Sequence, residues 1–184
     1  MRLLFNKVDL GVKAGDALWV RGPNGQGKTS LLRLLAGLSK AEAGEVELSV
    51  PQVYIGHQHA LKDELSATEA LRFLVRLHGG PDDAEAIEAA LQRLGVKARR
   101  HALVRTLSQG QRRRVALSRL ALSPPGAVWL LDEPFDALDD QGVQALIMLI
   151  QDHREAGGAL VFTSHQAVNL PGVRQLHLHG PDRS

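Results

Sequence analysis

The eight residues Gly22-Pro23-Asn24-Gly25-Gln26-Gly27-Lys28-Thr29 satisfy every fixed position of the pattern G-x-x-x-x-G-K-[ST]. Glycines let such a loop wrap an anion with successive backbone N–H groups pointing inward, and a helix that starts at its end adds the positive end of its dipole. Lys28 is placed to reach the β- and γ-phosphates of a nucleoside triphosphate, and Thr29 to put its hydroxyl on Mg²⁺. Ser30, the next residue, is grouped with this phosphate-binding set. Hydrolysis also needs acidic groups opposite the loop, to hold the Mg²⁺ shell and the attacking water. Asp132 and Glu133 fit, because the apolar run Val128-Trp129-Leu130-Leu131 leads straight into them. Asp132 would hold the metal shell and Glu133 would polarise the water.

These residues act together only if the chain folds to bring them together. Leu4, Asn6, Val8 and Leu10 alternate with their neighbours, and Ala17 to Val20 follow after a turn at Lys13-Ala14-Gly15, which predicts two strands. The glycine loop comes next. From Lys28, Leu31, Leu34, Leu35 and Leu38 recur at helical spacing, with Gly37 near the stop. Two short strands are expected in 45–55, around Pro51. Ser66-Ala67-Thr68-Glu69 forms a capping-box pattern ahead of a helix. A second helix opens after Pro81-Asp82-Asp83, and a third covers 109–122 before Pro124-Pro125-Gly126. AVWLL and GALVFTS read as strands buried on both faces, as in a parallel sheet, with a helix between them and a last strand near VRQLHLH. The expectation is one α/β domain over 1–184, with a helical insertion at about 66–123.

The composition narrows the remaining classes. No apolar stretch approaches the roughly eighteen residues of a membrane span, and the first ten residues, with Arg2, Lys7 and Asp9, do not read as a secretory signal. The expected address is cytoplasmic. With no cysteine, disulfides and thiolate metal sites are excluded. Lys and Arg total 22 against 20 Asp and Glu, a balance that does not call for nucleic acid. The basic runs Arg99-Arg100-His101 and Arg112-Arg113-Arg114 read as a solvated helix face or as carboxylate partners.

Leu107-Ser108-Gln109-Gly110-Gln111, directly before a helix, resembles the LSGGQ signature of ABC ATPases, with Gln109 in place of the usual first glycine. The resemblance covers essentially the whole chain. It implies a P-loop NTPase (RecA-like) parallel-sheet core, a small antiparallel β subdomain, shortened here, and a helical insertion carrying the signature. It also implies that ATP with Mg²⁺ lies at the interface of a homodimer, between Lys28 of one subunit and Ser108, Gly110 and Gln111 of the other. Asp139, in Ala137-Leu138-Asp139, resembles the loop that crosses this interface, and His165 the switch histidine that contacts the γ-phosphate. The glutamine that links Mg²⁺ to a membrane partner falls in Gly56-His57-Gln58-His59. Counting back from Leu65-Ser66 favours His57 for it, whereas residue chemistry favours Gln58. An adenine-stacking aromatic is not evident, since Phe5 and Trp19 read as core.

Within the family, YIGHQHALKDELSATEALRF, VWLLDEPFDALDDQGV and TSHQ resemble the ATP-binding subunits of the bacterial cytochrome c maturation haem exporters. That likeness implies integral membrane partners, a peripheral position on the cytoplasmic face of the inner membrane, and coupling to haem export or haem-chaperone release. The eight histidines are scattered, with no Cys-x-x-Cys-His. Another ABC exporter would use the same catalytic residues, and a soluble ABC ATPase acting on a scaffold is a further alternative.

Overall fold

Residues with apolar side chains on both sides of the backbone are stable in a strand only when both faces of the sheet are covered. The computed structural model, which describes residues 4–6 and 8–178, places three such runs side by side. They are β1 (Ala17–Arg21), β3 (Val128–Leu131) and β4 (Ala159–Thr163). With β2 (Gln52–Ile55) and β5 (Val173–His177) they form one five-stranded sheet in the order β2-β3-β4-β1-β5, every pair parallel. Leu18, Val20, Val128, Leu130, Ala159 and Val161 pack with Leu31, Leu32 and Leu35 of α1 (Lys28–Leu35) in one core cluster. Helix α1 ends at Gly37, whose N–H bonds Leu34 O at 3.0 Å while the Leu38 N–H bonds Arg33 O at 2.8 Å, the paired closure that stops a helix.

This sheet belongs to the first of two compact units, made of 1–56, 126–134 and 153–184. The second, 57–125 and 135–152, is helical. It contains α2 (Ala67–Leu77), α3 (Ala84–Arg93) and α4 (Gln109–Ser118), the last continued by a 3-10 turn at Arg119–Leu122. Ser66 caps α2 as the sequence predicts, in a reciprocal box with Glu69. The Ser66 hydroxyl and amide both bond the Glu69 carboxyl and hold its pKa below the usual range. Helices α2, α3 and α4 pack on one another, and Leu71, Leu74, Ile87, Leu91, Val115 and Leu117 are all buried. Helices α2 to α4 lie within the range expected for the helical insertion, about 66–123, and the unit that holds them is wider, taking in most of α5 (Asp140–Glu155) as well.

Two expected strands are not formed. Residues 4–6, 8–10 and 45–49 enter no ladder, and among the described residues no antiparallel strand pair builds the expected small β subdomain. An isolated antiparallel bridge, Ser66 to Leu103, lies in the helical unit. The alternation marks an apolar side, since Val8, Leu10 and Val12 pack on the core cluster. It does not encode a second backbone to pair with, and in 45–50 Val46, Leu48 and Val50 stay exposed.

The first unit also holds a half-buried titratable group. The His153 ring lies on Trp129, centroids 3.7 Å apart and 7° from parallel, and its Nε2 is 2.9 Å from Ala127 O. Gly158 makes room, because a Cβ there would fall 2.2 Å from the ring. Burial pushes the His153 pKa down, and hydrogen bonds to Ala127 and Ala159 only partly oppose it. Because the folded pKa is depressed, the unfolded chain binds the proton more readily, so this contribution is complete above the unfolded value of about 6.5 and is lost as pH falls through the folded pKa. Urea unfolding from pH 7.5 to 5 should show stability falling with pH, and His153→Phe should flatten that slope. An unchanged slope in the variant would rule out His153 as its source.

Candidate active site

Parallel sheets bind ligands beyond the carboxyl ends of their strands, and the candidate residues of the first unit follow three neighbouring strands. The glycine loop follows β1, Asp132 and Glu133 follow β3, and Ser164 and His165 follow β4. Gly27 caps α1 at φ 89° with no side-chain hydrogen bond to the first-turn amides, which leaves those donors for an anion. Only glycine fits there, because a Cβ would come within 2.8 Å of the Phe5 ring. Phe5 itself packs on the core cluster and Trp19 is buried, as expected of both.

Lys28 is buried and donates from Nζ to the carbonyls of Gly22 (2.7 Å) and Pro23 (3.3 Å), so the ammonium is held over the loop. The Thr29 hydroxyl donates to Asp132 Oδ2 at 2.8 Å. The other carboxylate oxygen, Oδ1, accepts from the Thr163 hydroxyl at 2.8 Å, and that hydroxyl accepts the Glu133 N–H at 2.9 Å. Glu133 Oε2 in turn accepts the His165 N–H at 2.9 Å, with His165 Nε2 3.3 Å from Oε1. One chain of contacts thus runs from the glycine loop to the histidine. Glu133 adopts φ 49°, a conformation that costs a non-glycine residue about 1–3 kcal/mol and is kept where surrounding bonds enforce it. Trp19 Nε1 donates to Ser164 O at 3.2 Å and holds the strand end that carries His165.

These groups suit a magnesium nucleotide. Thr29 Oγ1 and Asp132 Oδ2 are hard oxygen donors beside an uncapped helix N-terminus, and Mg²⁺ takes a few protein oxygens together with phosphate and water. Among the described residues no cluster of three or more His, Cys, Asp or Glu offers an all-protein metal cage. The sequence reading missed Thr163 and Trp19. A threonine at the end of an apolar run looks like an ordinary strand residue, and nothing local shows that its hydroxyl meets residues some thirty positions earlier.

The remaining candidates lie in the second unit. Ser108 caps α4: its Oγ accepts the Gln111 N–H (3.2 Å) and its own N–H donates to Gln111 Oε1 (3.1 Å). Gln111, predicted to face a phosphate, closes this capping box, a pattern legible as S-x-x-Q. Gly110 is pressed against the following loop, where a Cβ would stand 2.6 Å from Ala137 O. Asp139 accepts the Gly142 N–H at 2.9 Å and pairs with the Arg114 guanidinium. The Gly142 amide first, and Arg114 as well, hold its carboxyl below the usual range. Of the basic run, read as a solvated face or as carboxylate partners, Arg114 is a carboxylate partner, Arg112 bonds the carbonyls of Leu107 and Arg105, and Arg113 fits neither reading of an exposed charge, being fully buried. Gln58 is exposed, and so is His57, whose Nδ1 is 3.9 Å from Asp136 Oδ2. Burial, then Arg113, His57 and Arg112, lower the His59 pKa.

Residues 5–136 match the family model described as ABC transporter. A protein of Pseudomonas putida (strain KT2440), "Cytochrome c biogenesis ATP-binding export protein CcmA", is 45% identical over 96% of this chain and 90% of its own length. The protein of the same name from Shewanella frigidimarina is 42% identical over 92% of this chain and 82% of its own. Among solved structures, the dimeric post-hydrolysis state of the ATP-binding cassette MJ0796 bound to ADP and Pi superposes with TM-score 0.80 at 25% identity, covering 95% of this chain and 86% of that one. A putative ABC transporter ATP-binding protein from Pyrococcus furiosus gives 0.78 at 23% identity, covering 94% and 90%, a likeness of fold. The extent of these matches, together with the glycine loop, the strand-end acids and the signature at their expected places, shows that the chain belongs to the ABC transporter ATPase family.

Proposed function

We propose that this ATPase is the energy-supplying subunit of a membrane complex in c-type cytochrome biogenesis, powering haem export or haem-chaperone release. The observation that carries the biological half is the 45% identity, spanning nearly the whole chain, to a cytochrome c biogenesis export protein. Among the described residues no helix is long and apolar enough to cross a membrane. Integral membrane subunits carry the spans in this reading, and this chain docks on the cytoplasmic face of the inner membrane.

In this reading 1–184 acts as one nucleotide-binding domain and pairs with a second copy. Lys28 and the first amides of α1 hold the β- and γ-phosphates. Thr29 and Asp132 would hold Mg²⁺, and the family resemblance assigns Gln58 to the same metal. When bound, Mg²⁺ neutralises charge on the β- and γ-oxygens. Glu133, its carboxylate oriented by the His165 backbone and ring, accepts the proton of the attacking water. Ser108 and the N-terminus of α4 offer donors to the γ-phosphate of the partner's nucleotide. Gln111 acts there through the cap it forms, and Asp139 by fixing the loop before α5.

Complementation tests the assignment. In a P. putida strain lacking the relative, this chain should restore covalently haem-stained c-type cytochromes, and Glu133→Gln should not. Restored ATPase activity in membranes without haem-stained cytochromes would sink the biogenesis reading and keep the enzymatic one.

A further inference from the structure

Thr163 is completely buried at the carboxyl end of β4, and its hydroxyl has one proton and lone pairs to place. The proton goes to Asp132 Oδ1 at 2.8 Å and a lone pair takes the Glu133 N–H at 2.9 Å. One hydroxyl therefore fixes the carboxylate of the first acid and the backbone of the second. Because Thr163 occupies Oδ1, Oδ2 is the oxygen directed to Thr29. Because it holds the Glu133 amide, it also braces the left-handed backbone (φ 49°) that turns Glu133 toward His165. A valine, almost the same shape, would fill the same space and do neither.

We infer that Thr163 is a positioning residue for hydrolysis: its hydroxyl sets which Asp132 oxygen serves the Mg²⁺ shell and aims Glu133 at the water. The inference rests on the roles assigned to Asp132 and Glu133. Geometry of this kind is felt in the rate, since a small misplacement of catalytic groups costs orders of magnitude, while the phosphates are gripped by Lys28 and α1 and do not need it.

The test uses the full chain with Thr163→Val, Thr163→Ser and Thr163→Cys, and Asp132→Asn alongside. Two quantities are read: steady-state ATP hydrolysis, and equilibrium binding of a fluorescent ATP analogue titrated with Mg²⁺ or in EDTA. Valine should lower kcat about 30-fold with KM for ATP within about threefold, the signature of an interaction needed in the transition state. It should also raise the Mg²⁺ concentration that half-saturates analogue binding about tenfold and leave affinity in EDTA unchanged. Serine should keep both properties. A valine variant within about twofold of wild type in kcat and Mg²⁺ dependence, or a serine variant as impaired as valine, overturns the inference. If the valine variant does not fold, cysteine, with its weak donor, decides: a folded Cys variant must show the Mg²⁺ shift, and its absence overturns the inference equally. If Asp132→Asn leaves the Mg²⁺ dependence unchanged, the metal assignment itself fails, a result distinct from failure of Thr163 alone.

Discussion

Glu133→Gln should bind ATP within about threefold of wild type and hydrolyse it about 10³-fold more slowly, the scale expected when a positioned general base is removed. The reason lies in the contacts of the carboxylate. Oε2 accepts the His165 N–H and Oε1 faces His165 Nε2 at 3.3 Å. A glutamine can turn its carbonyl oxygen to the backbone N–H and place its amide nitrogen beside the imidazole, so the local structure survives the exchange. Basicity is what disappears. Lys28, Thr29 and the α1 amides are untouched, so nucleotide stays bound and the variant should accumulate as an ATP-holding dimer, visible by gel filtration with ATP and Mg²⁺. Phosphate release at the wild-type rate would remove Glu133 from the proton-accepting role.

Gly110→Ala should reduce hydrolysis about 100-fold, by displacing donors needed in the transition state, while the isolated subunit keeps its affinity for a fluorescent ATP analogue. Helix propensity argues the other way, since alanine is favoured over glycine in a helix by about 1 kcal/mol, and Gly110 lies in the first turn of α4. The contact decides. The added Cβ would stand 2.6 Å from the Ala137 carbonyl oxygen, which is backbone and cannot rotate away. Ala137 is itself at φ 63°, a conformation that leaves the loop little freedom to yield. Relieving the overlap must move either the N-terminus of α4, with Ser108, or the loop leading to Asp139. Full ATPase activity in this variant would show that the signature tolerates such a shift, and would separate the packing of Gly110 from catalysis.

Parts of the chain that depend on near neighbours were readable from the residues. The glycine loop was one, because its anion-binding amides and Lys28 come from eight successive positions. The box at Ser66–Glu69 was another, since both partners lie within one helical turn. The same rule applied to Ser108–Gln111 identifies a cap, where the resemblance to the signature alone had directed Gln111 to a phosphate. The strands expected from Leu4 to Leu10 and in 45–49 are not formed among the described residues, because period two marks an apolar side whether or not another strand lies beside it. Arg114 is the carboxylate partner that was one of the two readings of its run, bound to Asp139 twenty-five residues away, whereas Arg113 misled because charge is usually solvated and here it is fully buried.

Residue order alone was enough to propose the chemistry: a glycine loop with its lysine and threonine, two acids at the end of an apolar strand, and the signature whose order points to the family. Tertiary structure decided how those groups are aimed. Thr29 meets Asp132 across 103 positions, Thr163 holds both acids across about thirty, and Trp19 steadies Ser164 across 145. Such pairings follow from the order β3-β4-β1 in the sheet, which brings three distant strand ends together. A local pattern specifies what a residue can donate or accept, and only the packed sheet specifies to whom.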